Sequence, residues 1–315
     1  MARCLLALGS NLGDRCEILS RAASEIVRLP KCRLLRRSLW HETEPIGGPA
    51  GQGAFLNGCL LLETQLEPGV LCRALLEIEQ QLGRQRRIRW DARSIDIDLL
   101  LYDQLQLETE ELTLPHPRMS FRRFVLKPAC DIAGSMIHPP SGWTLAQLLR
   151  YLEDSPRYVA VVAAEPASAH RLAIELCQIL GSPMLERLNP TPRAGPDSQP
   201  PEAVELDSEQ SEVLQISRWL QVPELAARLS HLAEPELPPV VSNIWSERAL
   251  GGQVRPALVV AWDTLAGGPA HEILKETLDR PGHGPMARIR GDDFSAVLAE
   301  AVAAVRAVWP AVSCE

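Results

Sequence analysis

Apolar positions recur at three- and four-residue spacing along "RCEILSRAASEIVRL" and stop at Pro30, which predicts a helix. Before it, "RCLLALGSN" reads as a short buried strand closed by a Gly-Ser-Asn turn. After it, "CRLLRRSLWHETEPI" reads as a strand running into a loop, and the Gly-rich "GGPAGQGAF" as a flexible lid. "FLNGCLLLETQL" alternates and then runs apolar, as a strand does. "EPGVLCRALLEIEQQLG" carries Glu67 and Pro68 where a helix starts and Gly83 where it ends. In "RWDARSIDIDLLLYD" a strand is predicted from Ile95 to Tyr102, followed by loop and short helix over "TLPHPRMSFRRFVLKPACDIAG" and a helix over "TLAQLLRYL".

The order strand, helix, strand, strand, helix, strand predicts an α+β unit of the ferredoxin-like, split βαβ kind over residues 1–158. A new strand, "RYVAVVAA", and a new helix, "ASAHRLAIELCQILG", then begin a smaller α/β domain over 159–315. Within it, "PALVVAWD" predicts another buried strand and "DDFSAVLAEAVAAVRAV" a final amphipathic helix. The Pro-, Ser- and acid-rich stretch "NPTPRAGPDSQPPEAVELDSEQ" predicts a flexible segment near 189–212.

Charge changes this picture in one respect. The chain is 46% apolar and 23% charged, an ordinary globular balance, but its net charge of −8 is unevenly spread. Residues 1–158 carry 20 Lys+Arg against 19 Asp+Glu, and the remainder 12 against 21. An acidic second half argues against nucleic acid as its partner. The apolar run in "MARCLLALGSNLGDR" is too short for a signal-peptide core, and no run approaches a membrane span. Eight scattered cysteines without a C-x-x-C pair fit free thiols in a reducing compartment, so a cytoplasmic protein is expected.

The chemistry concentrates around Asp96 and Asp98. Two residues apart on a strand, their carboxylates share a face while Ile95, Ile97 and Leu99 point the other way. A half-exposed strand with a wetted polar face is the plain reading. The continuous apolar flank favours a buried strand whose carboxylates hold Mg²⁺, a hard cation that keeps waters and phosphate oxygens in its other positions. Arg84, Arg86, Arg87, Arg89 and Arg93 precede the pair. A solvated loop or a nucleic-acid patch would explain such a run alone. Beside a metal pair it reads as a clamp on a polyphosphate, because guanidinium forks match phosphate oxygens. These are the parts that phosphoryl transfer requires. The G-x-x-x-x-G-K-[ST] pattern is absent from "GGPAGQG". His41 and His116 stand alone, and His116, between two prolines, is the better candidate for a site.

"ALGSNLGDR", "ETEPIG", "FLNGCLLLET", "LEIEQQLGR", "RWDARSIDIDLLLYD" and "LPHPRMSFRRFVLKPACDIA" together resemble 6-hydroxymethyl-7,8-dihydropterin pyrophosphokinases of folate synthesis. The resemblance covers residues 1–158 in order. It implies transfer of the β,γ-pyrophosphoryl group of ATP to the pterin hydroxymethyl group, with release of AMP. It further implies that Asp96 and Asp98 bind two Mg²⁺ and that Arg84 and Arg93 position the transferring group. On the ATP side it implies Glu79, Arg86, Trp90, His116 and Arg122. Thr43, Pro45, Ile46 and Asn57 then line a pterin pocket, and Phe55 and Phe124 sandwich the ring, a good stacking geometry for a planar heterocycle. Asp91 and Ala92 stand where the family usually has Gly-Pro, which frees that loop and adds a carboxylate near the polyphosphate. An inactive pterin- or nucleotide-binding scaffold is the alternative. ATP and the dihydropterin are the expected partners, with no nucleic acid and no membrane.

In the second half, "VAVVAAEPASAHRLAIEL" has the layout of a phosphate-binding loop. Ala164, Ala169, His170 and Arg171 replace the residues that chemistry needs. With "NPTP" and "PALVVAWD" it faintly resembles a degenerate deoxynucleoside-kinase-like P-loop domain, and an unrelated α/β domain remains the other reading. Oligomerisation, docking and simple stabilisation are its candidate roles. His271 and His283 are too isolated to be read as ligands.

Overall fold

The computed structural model describes residues 1–46, 51–84, 94–155, 158–182, 184–185, 240–242, 256–263, 271–272, 274–275 and 284–309. The segment near 189–212, the prolines of "NPTP" and His283 lie outside them. Two compact units are present: one of Met1–Asp154 with Glu276–Arg288 and Ala299–Glu315, the other of Ser155–Lys275 with Ile289–Leu298.

The first unit is built on a sheet of β1 (Ala2–Ser10), β2 (Cys32–Arg37), β3 (His41–Thr43), β4 (Phe55–Thr64) and β5 (Asp96–Tyr102). Its order is β2-β4-β1-β5, with β3 also paired to β4, and all these pairings are antiparallel; two short antiparallel pairs, β6 (Leu107–Glu108) with β7 (Thr113–Leu114) and β8 (Ile137–His138) with β9 (Trp143–Thr144), stand apart from it. Helix α1 (Arg15–Arg28) starts where the Asp14 side chain accepts the Glu17 N–H at 3.0 Å. It buries Leu19, Ala22, Ala23 and Ile26, the stripe that its spacing predicts. Helix α2 (Pro68–Gln81) buries Leu71, Leu75, Ile78 and, against expectation for a carboxylate, Glu79. Both helices pack with Leu6, Leu8, Leu60, Leu62, Ile97 and Leu99 in one core.

The region read as loop and short helix contains an eleven-residue helix, α3 (Arg123–Ala133), with Pro128 inside it. Packing against β4 and α4 (Leu145–Asp154) overrides the local cost of that proline. Gly58 makes room for Trp40 on β4. A Cβ there would sit 2.2 Å from the indole, a distance no side chain tolerates.

Register places the functional residues. Asp96 pairs with Gly9, Gly9 with Asn57, and Asn57 with His41, so one row crosses four strands on one face. Asp98 lies in the next same-face row, opposite Ala7. On the other face Ile97 and Leu99 are buried, as period-2 alternation requires. A register shift opposite Leu5 and Leu6 absorbs one extra residue and lets Leu99, Leu100 and Leu101 all be buried.

A second, five-stranded sheet has the order β11-β12-β10-β13-β14: Met184–Leu185, Val240–Ser242, Tyr158–Ala163, Leu258–Asp263 and Met286–Arg290. β10 is parallel to both β12 and β13, and β11 is parallel to β12. Helix α5 (Pro166–Leu180) follows β10, and in α6 (Phe294–Val308), the last described helix, residues 294–298 belong to the second unit and 299–308 to the first. In a phosphate-binding loop the N-terminus of α5 would face an anion. Here Glu165 occupies the N-cap, and its carboxylate accepts the Ser168 hydroxyl at 3.1 Å. Arg171, at the Ser/Thr position, lies 3.8 Å over the Phe294 ring. No helix among the described residues is long and apolar enough to cross a membrane.

His138, at the end of β8 (Ile137–His138), is buried and bonded through Nδ1 to the Ser141 hydroxyl at 2.9 Å. Burial pushes its pKa down to about 4. The folded state therefore takes up this proton less readily than the unfolded chain. The associated stability is present above the ordinary histidine value and is lost as pH falls from about 6.5 toward 4. Urea unfolding at a series of pH values should show that loss, and His138→Asn should flatten it. Identical slopes for the variant and the wild type would refute the assignment.

Candidate active site

Sequence spacing on β5 points Asp96 and Asp98 away from the α1/α2 core, into a cleft of about 280 Å³. Thr43, Ile46, Phe55, Asn57 and Phe124 line one part of it, and Arg84, Asp96, Asp98, His116 and Arg122 another. Pro45 lies between Glu44 and Ile46, which both line the cleft, but is not itself part of the lining. Arg86, Trp90 and Arg93, together with the Asp91–Ala92 departure, lie outside the described residues, as do 47–50 of the Gly-rich stretch.

Glu79 approaches the site from behind. It is 1% exposed, and its Oε1 accepts the Ile97 backbone N–H at 2.6 Å and an N–H of Arg84. Burial raises its pKa, while Arg84 and the Ile97 N–H oppose that rise. Arg84 reaches onward with its second nitrogen, 2.8 Å from Asp96 Oδ1. Burial lowers its pKa, but the carboxylates of Glu79, Asp96 and Asp98 outweigh this and the net shift is upward. The arginine is a permanent cation joining one buried and one cleft-facing carboxylate.

His116 is fixed by the chain on either side. Its N–H donates to Leu100 O at 2.9 Å, and its Nδ1 accepts the Arg118 N–H at 3.2 Å. That leaves Nε2 directed to Asp98, 3.8 Å away. Burial pushes the pKa to about 4, with Arg122 and Arg118 adding to the effect and Asp98 opposing it. The imidazole is thus neutral at pH 7. Arg122 lies over the Phe124 ring at 5.5 Å, joining the cationic side to the aromatic one.

On the opposite side the Asn57 amide donates to Thr43 Oγ1 at 2.8 Å. Its carbonyl lies over Gly9, where a Cβ would come within 2.9 Å of Oδ1. Gly9, Gln52, Glu44 and Arg118 also line the cleft and are not among the residues that sequence reasoning singled out. Gly9 is recoverable from strand pairing and Arg118 from its place two residues after His116. For Gln52 and Glu44 the sequence offers no comparable signal.

A carboxylate pair, a cationic rim and an aromatic wall in one cleft of an antiparallel α+β unit make up a phosphoryl-group transferase site. The sequence profile of the 7,8-dihydro-6-hydroxymethylpterin-pyrophosphokinase (HPPK) family matches residues 5–134. Three bacterial proteins named 2-amino-4-hydroxy-6-hydroxymethyldihydropteridine pyrophosphokinase are similar to the chain. The Synechocystis protein is 38% identical over 149 residues, 47% of this chain and 75% of that one. For Methylorubrum extorquens the figures are 39% over 155 residues, 49% and 96%. For Pseudomonas aeruginosa they are 40% over 147 residues, 47% and 90%. The chain belongs to the HPPK family.

The Glu79–Arg84 pair should be costly to break. Glu79→Ala leaves a largely buried guanidinium and an unpaired Ile97 N–H, and should lower stability by about 2–4 kcal/mol in urea unfolding. Glu79→Gln keeps an acceptor for both and should cost about half as much. An alanine variant as stable as the wild type would show that the pair does not carry this load.

Proposed function

We propose that the first unit transfers the β,γ-pyrophosphoryl group of ATP to the hydroxymethyl group of 6-hydroxymethyl-7,8-dihydropterin and releases AMP. The observation that carries this reading is the pair Asp96 and Asp98 on one strand face, in the same cleft as Phe55, Asn57 and Phe124. The hydroxymethyl oxygen forms a bond to the β-phosphorus and gives up its proton. The bond from that phosphorus to the α,β-bridging oxygen breaks, and AMP leaves.

The donor set suits the metal that the family implies. Two carboxylates, 27% and 31% exposed in their side chains, are too few for an all-protein cage but enough for Mg²⁺ that keeps waters and phosphate oxygens. Asp96 and Asp98 would hold the metal, two ions by family resemblance. Bound there, it neutralises triphosphate charge.

The remaining roles belong to the chain. Arg84 and Arg122 supply cations for the polyphosphate, and neutral His116 offers an Nε2–H donor without adding charge. Arg86, Trp90 and Arg93 fill the family's ATP-side and catalytic-loop roles. Phe55 and Phe124 stack the pterin, while Thr43, Pro45, Ile46 and Asn57 shape its pocket, Asn57 meeting the heterocycle's polar edge. Glu79 acts through Arg84, holding it in place rather than touching ATP.

We take the first unit to be a ferredoxin-like, split βαβ domain, a reading supported by the β2-β4-β1-β5 order and antiparallel pairing. We place the domain boundary near residue 158 and the protein in the cytoplasm, with oligomerisation or docking as the role of the domain over 159–315.

Asp96→Ala and Asp98→Ala should each lower AMP formation by at least about a thousandfold, since both the metal and the charge on the polyphosphate depend on them. Pterin binding, followed by its fluorescence, should stay within about threefold of wild type, because the aromatic wall is untouched. Full transfer in both variants would rule out the metal assignment.

A further inference from the structure

The turn that carries His116 is held from α6. Nη2 of Arg118 lies 2.7 Å from both oxygens of the Glu300 carboxylate, which is 12% exposed in its side chain. Five residues further along the turn segment, Arg123 reaches the carbonyl of Val308 at 3.5 Å. Glu300 and Val308 are both on α6 and both belong to the first unit. Eight residues of helix separate them, about 12 Å, so the contacts brace residues 118–123 at two points.

Arg118 is more than a surface partner. It lines the cleft, and its backbone N–H donates to His116 Nδ1, the bond that leaves Nε2 directed to Asp98. A carboxylate as buried as that of Glu300 is held by its cation, and that cation is held in turn. The chain of contacts runs from Glu300 through Arg118 to His116 and ends at the metal-binding strand.

We propose that Glu300 is a positioning residue for the polyphosphate side of the cleft, acting through Arg118 on the His116 turn. This rests on the pyrophosphokinase reading above. It gives α6 a part in catalysis without any contact to substrate. Of the pterin residues, Thr43, Phe55 and Asn57 lie on other strands, and Phe124 follows Arg123, whose contact with Val308 does not involve Glu300.

The test uses the full chain with Glu300→Ala and Glu300→Gln, checked for folding by thermal melts. Steady-state AMP formation gives kcat and the KM for each substrate. Titration with Mg²⁺ and α,β-methylene-ATP gives nucleotide affinity without turnover, and 6-hydroxymethylpterin fluorescence gives pterin affinity. Both variants should raise the KM for ATP and weaken the analogue about three- to tenfold, the scale of coupling between residues in one ion-pair network. The kcat should stay within about twofold and pterin affinity should be unchanged. Adding Arg118→Ala to Glu300→Ala should bring no further loss.

Wild-type nucleotide affinity in both variants would overturn the proposal, as would equal weakening of nucleotide and pterin, which marks a general loosening. If Glu300→Ala fails to fold, the isosteric Gln variant decides. Should the wild type form no AMP, the functional reading fails, while the analogue titration still tests the brace.

Discussion

Glu79 is a carboxylate almost sealed from water, held by Arg84 and the Ile97 N–H, and the geometry of the site follows from what it holds. Taking such a group out of water costs several kcal/mol even after relaxation, and only its bonds offset that cost. The bonds join the end of α2 to the start of β5, so the first residues of the strand carrying Asp96 and Asp98 are fixed to a helix rather than left at a loop end. Arg84 then has one nitrogen on Glu79 and another on Asp96. Its position relative to the carboxylate pair is set before any phosphate arrives. Pre-set charge of this kind stabilises a transferring group without reorganisation during the reaction.

A second constraint is close approach. The row Asp96–Gly9–Asn57–His41 passes through a residue without a side chain because the Asn57 carbonyl occupies the space a Cβ would need. Gly58 does the same for Trp40 on β4. Both glycines sit inside buried strands, where glycine is intrinsically unfavourable. Their presence marks where packing and the cleft wall took precedence over strand propensity.

Much of this was legible in the sequence. The same-face placement of Asp96 and Asp98 follows from the period of a strand, and the buried stripes of α1 and α2 from the period of a helix. What could not be read depends on partners distant in sequence. Glu79 in "LEIEQQLGR" resembles any solvated helix carboxylate, and only the return of β5, 18 residues later, shows what it bonds. Pro128 argues locally against the helix that contains it, and packing on β4 and α4 decides otherwise. Arg118 has a legible place after His116, but its carboxylate partner lies 182 residues away. Pattern reports faces and periods, and it does not report which polar groups meet.

Two places in this chain, the start of β5 and the β10–α5 corner, differ in the charges they present. At β5 the carboxylates stand on the strand and the cations around them, an arrangement that offers opposite charge both to a divalent ion and to a polyphosphate, as proposed above. At the β10–α5 corner a carboxylate, Glu165, stands at the helix N-cap, and the arginine that follows is laid on an aromatic ring. A phosphate drawn there by the helix dipole would meet like charge at short range. Both places are buried strands with polar residues at one end, and the sign and placement of a few charges separate them. Fold supplies the positions, and the charges decide which position can hold a nucleotide.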